Sequence, residues 1–120
     1  GKDRIDMAKY EKQLTGDFDD VLSRLFDAVM NGSMSASYED GSDWEANGVR
    51  CAVRVFERYS WAGGNRVSMN LTLAGYGNRL FLSAITSGGS QAMFWKVNTM
   101  GEESFLETLV PVAEEYVAGR

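Results

Sequence analysis

The residues between positions 49 and 86 fall into three segments in which apolar and polar side chains alternate. Apolar residues occupy the odd positions from 49 to 55 and from 67 to 73, and the alternation continues through 79–86. A period of two residues is typical of a β-strand with one buried and one exposed face. Because glycine-rich turns separate the segments, the pattern predicts three antiparallel strands joined by hairpins.

The valines indicate which side of this sheet faces the core. We assign Val49, Val53 and Val55 to the core, with Cys51 among them as a small buried apolar residue. The even positions then lie on the open face, which becomes rich in arginine. The predicted open face carries Arg50, Arg54, Phe56, Arg58, Arg66, Arg79 and Phe81.

Residues that face one another on paired strands point to the same side of a sheet, so the alternation also predicts the register. The last hairpin would pair Leu73 with Leu80. The preceding hairpin, with a loop of three residues, would pair Val55 with Leu71 and leave Glu57 on the core side.

Two segments show the period of an amphipathic helix. One apolar stripe runs from Phe18 to Val29, after acidic residues suited to a helix N-terminus and before an Asn-Gly stop. The other helix follows a capping box at 99–102, and Pro111 should kink or divide it. Its predicted inward residues are Phe105, Leu106, Leu109, Val112, Ala113, Tyr116 and Val117.

The remaining segments complete the predicted fold. Alternation predicts strands at 8–14 and 34–39 and a short strand or packed loop at 93–97, whereas the acidic stretch 40–48 predicts a loop. The resulting order β-α-β-β-β-β-α predicts an α+β domain, a two-layer sandwich of a five-stranded antiparallel sheet with two helices on one face. This order resembles the TATA-binding-protein-like or helix-grip arrangement. We treat residues 1–6 as an appendage and residues 7–120 as a single domain.

Composition narrows the function. The formal charge of −5 disfavours binding to nucleic acid and to anionic membranes. The chain contains no histidine, which removes the commonest general base and a common metal ligand, so we predict no catalytic residues, metal or cofactor. A single cysteine and short apolar runs predict a cytoplasmic protein.

The arginine-rich open face allows two interpretations. It can be a solvated face whose arginines pair with neighbouring acidic residues. It can instead be a docking surface for an acidic protein, a small anion or a second copy of the chain, and Phe56 and Phe81 favour a protein partner over nucleic acid.

A second set of residues forms a candidate pocket. A carboxylate on the core side could act as a general base, or it could lie at the sheet rim. A Ser-Gly-Gly-Ser loop could cradle an anion with its amides, or it could be an ordinary loop. Three tryptophans near turns could rim a pocket or cap the core. The candidate pocket residues are Glu57, Tyr59, Ser87, Gly88, Gly89, Ser90 and Lys96, and the tryptophans are Trp44, Trp61 and Trp95.

Several stretches resemble a family of small bacterial proteins of unknown function, DUF6054. The similar stretches are 10–18 (YEKQLTGDF), 35–42 (SASYEDGS), 50–54 (RCAVR) and 83–91 (SAITSGGSQ), followed by Phe94, Lys96 and 101–103. The resemblance implies a bacterial cytoplasmic protein and implies no catalytic residues.

We therefore expect a small noncatalytic binding or interaction protein that forms a homodimer through its open sheet face. The alternative is a small-ligand-binding protein or enzyme with a cavity between the sheet and the C-terminal helix, by analogy with helix-grip proteins.

Overall fold

The structure is a computed structural model, and it describes residues 7–60, 65–88 and 105–117. Some sequence predictions concern other residues. These are the hairpin loop at 62–64, the strand or loop at 93–97, the capping box at 99–102, and Trp61, Gly89, Ser90, Trp95 and Lys96.

Five strands form one antiparallel sheet in the order β1-β5-β4-β3-β2. The elements are β1 (Met7–Thr15), α1 (Phe18–Asn31), β2 (Ser37–Ala46), β3 (Val49–Ser60), β4 (Asn65–Tyr76), β5 (Arg79–Gly88) and α2 (Val110–Glu115). Buried residues of both helices form one core cluster with a single side of the sheet, hereafter the covered face. The predicted α+β sandwich and its element order are confirmed. No helix within the described ranges is long and apolar enough to cross a bilayer.

The first helix forms as its sequence pattern predicts. Asp17 caps the N-terminus, where its carboxylate accepts a hydrogen bond from the backbone N–H of Asp20 at 3.0 Å. Further acidic residues in the first turn favour the positive end of the helix dipole. The buried side chains recur at helical spacing at Phe18, Val21, Leu25 and Val29.

Proline divides the C-terminal helical region. Residues 105–107 are helical, a turn follows, and α2 begins with Pro111 in its first turn. Proline fits there because it lacks a backbone N–H, and the first N–H groups of a helix have no partner within it. Phe105, Leu109 and Ala113 are fully buried, so the predicted inward stripe is confirmed across the break.

The second strand lies later in the chain than the sequence predicted. The predicted strand at 34–39 begins and ends too early, and the predicted loop at 40–48 is wrong except for its last two residues, since β2 runs through the acidic stretch. The connection to β3 is a tight turn in which Asn47 and Gly48 have φ of 53° and 83°, a geometry that Asn-Gly favours in two-residue hairpins. β2 is an edge strand and mostly exposed, so it shows no alternation.

The β4–β5 hairpin has the predicted faces but a different register. Leu73 pairs with Leu82, not with Leu80, because the turn lies at Gly77, with φ of 61°, and the residue after it. A shift of two residues preserves the side on which each side chain lies. The leucines of both strands are accordingly buried.

The β3–β4 hairpin corrects the most important sequence prediction. Ser60 pairs with Asn65, and Arg54, rather than Val55, lies opposite Leu71. Four residues therefore separate the strands, whereas we had predicted a loop of three. Because side chains alternate along a strand, this shift by one residue moves every side chain of β3 to the other face.

The covered face of β3 consequently contains Ala52 and Phe56, both fully buried. Phe56 packs against Phe26 of α1 and Tyr38 of β2, with ring centroids 5.2 Å and 5.9 Å away. A tilted aromatic cluster of this kind joins helix and sheet more effectively than a valine would. Cys51 and its neighbouring valines face the other side, so their assignment to the core is wrong.

An ionic network joins α1 to α2. Arg24 donates to both carboxylate oxygens of Glu115, at 2.6 and 3.1 Å, and to the hydroxyl of Tyr116 at 2.9 Å. The hydrogen bond from Arg24 lowers the pKa of Glu115 below its ordinary value of 4.5. A carboxylate with a lowered pKa stabilises the folded state above its unfolded pKa, and this contribution is lost as the pH falls through the folded pKa.

We therefore expect Glu115→Gln to lower the urea midpoint slightly at neutral pH. The difference from wild type should narrow as the pH falls below about 4, because the wild-type carboxylate also becomes neutral. Urea unfolding of both proteins across the acid range measures it. A difference that stayed constant with pH would show that the ion pair does not contribute through its charge.

Candidate functional site

The open face of the sheet carries most of the exposed apolar surface in the described part of the chain. The described residues include seven large apolar side chains that are exposed. The strand register places five of these seven on the open face. The five are Trp44, Val49, Tyr59, Tyr76 and Phe81. The described helices pack on the other side of the sheet, so these side chains are not covered by them. The open face is therefore partly apolar, whereas the sequence predicted a basic face.

The apolar residues concentrate in rows that cross the sheet. One continuous row spans four strands and consists of Trp44, Cys51, Ala74 and Phe81. Large aromatic side chains stand at both ends of the row, and two small side chains lie between them. Residues paired across strands have Cβ atoms about 5 Å apart, so the row forms one contiguous surface.

Adjacent rows extend this surface. Val49 and Tyr76 pair on one side of the row, and Val53 lies on the other. We call the resulting patch the apolar corner; it comprises Trp44, Val49, Cys51, Val53, Ala74, Tyr76 and Phe81. None of these seven residues is charged, and Arg79, which pairs with Tyr76, lies at the border of the patch. Contiguous apolar patches on folded domains commonly mark interaction sites.

The end of the open face that is opposite the apolar corner, hereafter the far end, carries Glu57, Tyr59 and Arg66 and is polar and charged. Glu57, which the sequence placed on the core side, lies here and pairs with Arg66 at 2.6 Å. The guanidinium of Arg66 also lies 5.0 Å from the ring centre of Tyr59. Glu57 is therefore a paired surface carboxylate, and the prediction of a carboxylate on the core side is wrong for a reason of register.

Three of the predicted open-face arginines lie on the covered face instead. Arg50 forms two hydrogen bonds to Asp19 of α1, at 2.9 and 3.0 Å, and its guanidinium lies 4.2 Å from the ring centre of Phe18. Hydrogen bonding from Arg50 lowers the pKa of Asp19. The aliphatic part of the Arg50 side chain thus packs beside the helix, while its guanidinium pairs with Asp19 near the protein surface.

Arg54 and Arg58 follow the same principle. Arg54 is 17% exposed and donates to Asp43 of β2 at 2.9 Å and to the carbonyl of Val53 at 2.9 Å. Arg58 places its guanidinium 4.8 Å from the ring centre of Phe105, and burial lowers its pKa. Of the predicted basic open face, Arg66, Arg79 and Phe81 remain; Arg50, Arg54, Phe56 and Arg58 do not belong to it.

The candidate pocket residues do not form one cavity among the described residues. Glu57 and Tyr59 lie on the open face, and Ser87 and Gly88 lie at the end of β5. Two open pockets of about 160 and 220 Å³ lie instead between α1 and the β2–β3 hairpin. Both are smaller than the roughly 300 Å³ at which small-molecule sites begin.

The edge of β2 is a second exposed backbone surface. In a two-residue hairpin the flanking residues bond to each other, so the N–H groups of residues 41, 43 and 45 point outward. The carboxylate of Asp40 accepts a hydrogen bond from the N–H of Gly41 at 2.8 Å, and a bulge at Glu39 interrupts the strand. Such features blunt an edge against the addition of another strand, which favours the open face as the functional surface.

Sequence reasoning identified the open face but misjudged its chemistry. The apolar corner was missed because valines on a central strand predict a core. The one available signal was the Asn47-Gly48 turn, which fixes β2 beside β3 and thereby places Trp44 next to Cys51.

Two solved structures show limited similarity to the chain. One is a protein of unknown function, PA94 from Pseudomonas aeruginosa, described as a putative regulator; it has 8% identity, a TM-score of 0.48, and coverage of 68% of this chain and 67% of that one. The other is TTHA0849 from Thermus thermophilus, with 9% identity, a TM-score of 0.36, and coverage of 91% and 97%. No curated protein matches the chain in sequence.

The family resemblance seen in the sequence is confirmed by a match along nearly the whole chain. The model of DUF6054, a family of unknown function, matches residues 7–117. This range includes every described strand and helix, and all residues of the apolar corner. The chain therefore belongs to the DUF6054 family.

Proposed function

We propose that this protein is a noncatalytic interaction module that binds a second copy of itself through its open sheet face. The observation that carries the proposal is the apolar corner, in which aromatic residues surround small ones without a charge among them. Interface cores are depleted in charge and enriched in aromatic residues. The expected setting is the bacterial cytoplasm, because of the single cysteine and the family resemblance.

The open face has about the size that a dimer requires. Strands lie about 4.8 Å apart and rise about 3.4 Å per residue, so β2 to β5 present a face on the order of 600 Å² in plan. Side-chain relief adds to this value. A standard interface buries about 800 Å² of accessible surface on each partner, so the face can supply one, with the corner as its core.

The net charge of the chain does not prevent an apolar contact between copies. Each chain carries a net charge of −5, so two copies repel at long range. At physiological ionic strength this repulsion is screened beyond about 8 Å, and the apolar corner adds no further like charge at contact. The mixed charges at the far end of the face, such as Glu57 and Arg66, suit the rim of an interface.

The test is the mass of the protein in solution, measured by light scattering after gel filtration. We expect a dimer for the wild type and a monomer for Phe81→Asp, because a carboxylate in the apolar corner would be buried without a partner. Gln13→Asp is the matched control. Gln13 pairs directly with Phe81 on the adjacent strand and is exposed, but it lies outside the corner, so this variant should remain a dimer.

A monomeric wild type would overturn the proposal. In that case the reactivity of the Cys51 thiol identifies what occupies the face. A thiol that reacts slowly in a monomer would mean that another part of the same chain covers the corner, and a fast reaction would mean that the corner is open to solvent. Circular dichroism of each variant separates loss of the dimer from loss of the fold.

A further inference from the structure

We propose that the two copies pack face to face about a two-fold axis that runs parallel to the strands, between β3 and β4. This inference rests on the proposed self-association. It follows from the distribution of residues on the open face, since a symmetric interface must be complementary to itself. Two sheets that pack face to face can be related by an axis along the strands or across them.

An axis across the strands makes a poor interface on this face. If the two faces overlap fully, the apolar rows lie against the far rows, and the ion pair of Glu57 and Arg66 is buried against apolar residues of the second copy, which costs desolvation of both charges. If the two apolar corners overlap instead, only about three rows remain in contact, because the corner lies at one end of the sheet. By the same measure, three rows of five strands cover on the order of 500 Å² in plan, which is less than the face of β2 to β5 provides.

An axis along the strands avoids both problems. It exchanges β2 with β5 and β3 with β4 while each row keeps its position along the strands. Trp44 then lies over Phe81 of the second copy, and Cys51 lies over Ala74 of the second copy. The full length of four strands stays in contact, and the apolar corners meet each other.

The charged end is also complementary in this arrangement. Arg66 lies over Tyr59 of the second copy, close to that copy's Glu57, so the ion pair within each chain can extend across the interface. Arg79 lies over Ala46 of the second copy.

No two like charges of the four strands are placed opposite each other, and opposed like charges would disfavour this partner. Asp40 of β2 lies over Ile85 of the second copy, beside that copy's Lys9, which carries the opposite charge.

Cysteine cross-linking distinguishes the two axes. Ser42 on β2 and Ser83 on β5 belong to one polar row beside the corner, through Val53 and Thr72. With the axis along the strands, Ser42 of one copy faces Ser83 of the other at about 10 Å, the spacing of packed sheets. The Ser42 residues of the two copies are about 17 Å apart, because they are displaced sideways by three strand spacings in addition to the spacing between the sheets.

The experiment uses Ser42→Cys and Ser83→Cys, each combined with Cys51→Ser and labelled to differ in mass. A bismaleimide that spans about one sheet spacing is added to each variant alone and to an equimolar mixture. We expect the mixture to yield the unlike pair in several-fold excess over either like pair, and each variant alone to yield little product. Gel filtration confirms that both variants remain dimers.

Two results would overturn the arrangement. Like pairs that form as readily as unlike pairs would indicate an axis across the strands. A dimer that yields no cross-link in the mixture would also overturn it, because Ser42 and Ser83 of the two copies would then not lie within one sheet spacing of each other. A wild type that is monomeric in solution would instead contradict the proposed function itself. Failure of the arrangement and failure of the proposed function therefore give different results.

Discussion

Phe56→Ala is expected to lower the free energy of unfolding by about 3–5 kcal/mol. The side chain is fully buried and packs against Phe26 and Tyr38 between helix and sheet. Truncation would remove these contacts and leave a cavity that the surrounding sheet cannot close. Urea denaturation followed by tryptophan fluorescence measures the change.

Phe81→Ala is the matched control for this experiment, since it truncates the same type of side chain on the opposite face of the sheet. Phe81 is 41% exposed on the open face, so within a single chain its truncation should cost less than about 1 kcal/mol. Any further loss should grow with protein concentration, because a dimer stabilises the folded state by mass action. The loss at Phe56 should not depend on concentration. Equal, concentration-dependent losses at both sites would contradict the assignment of Phe56 to the core.

Gly41→Ala should produce the second largest loss, on the order of 1–3 kcal/mol, the usual cost of overpacking. A β-carbon at Gly41 would lie 2.7 Å from the backbone carbonyl oxygen of Val53 and would also collide with the Tyr38 hydroxyl. A backbone atom in a central strand cannot move aside cheaply. β2 would therefore have to separate from β3, and the contact between Arg54 and Asp43 would weaken with it. Thermal unfolding monitored by circular dichroism measures the loss.

The control for Gly41→Ala is Ser42→Ala at the next position, which is exposed and points to the opposite face. This change should stay within about 0.5 kcal/mol of wild type. Tyr38→Phe added to Gly41→Ala should recover only part of the loss, because the clash with the backbone remains. Full recovery would mean that the tyrosine hydroxyl alone determines the need for glycine.

Elements whose local signals agree are the ones that the sequence predicts correctly. The helix from Phe18 to Asn31 was predictable because its cap, its apolar period and its stop signal agree locally. The division at Pro111 was predictable because proline cannot donate the backbone hydrogen bond that a helix interior requires. β2 was not predictable from alternation, since an exposed edge strand has no buried face to record.

The orientation of β3 could not be predicted from its own sequence. Alternation predicted that it has two different faces, and this is correct. It could not decide which face meets the helices, because Val53 and Val55 are as apolar as Ala52 and Phe56. A loop longer by one residue reversed the choice.

Local patterns were enough to predict the α+β class, the order of the elements, the faces of β4 and β5 and the family of the chain. The chemistry of the open face depends on contacts between distant segments. Local alternation shows which residues share a side of a strand, whereas pairing between strands and packing of the helices set which side is buried. Arg50 could lie on the covered face because Asp19, distant in sequence, receives its charge there. The apolar corner could form because four strands bring Trp44, Cys51, Ala74 and Phe81 into one row.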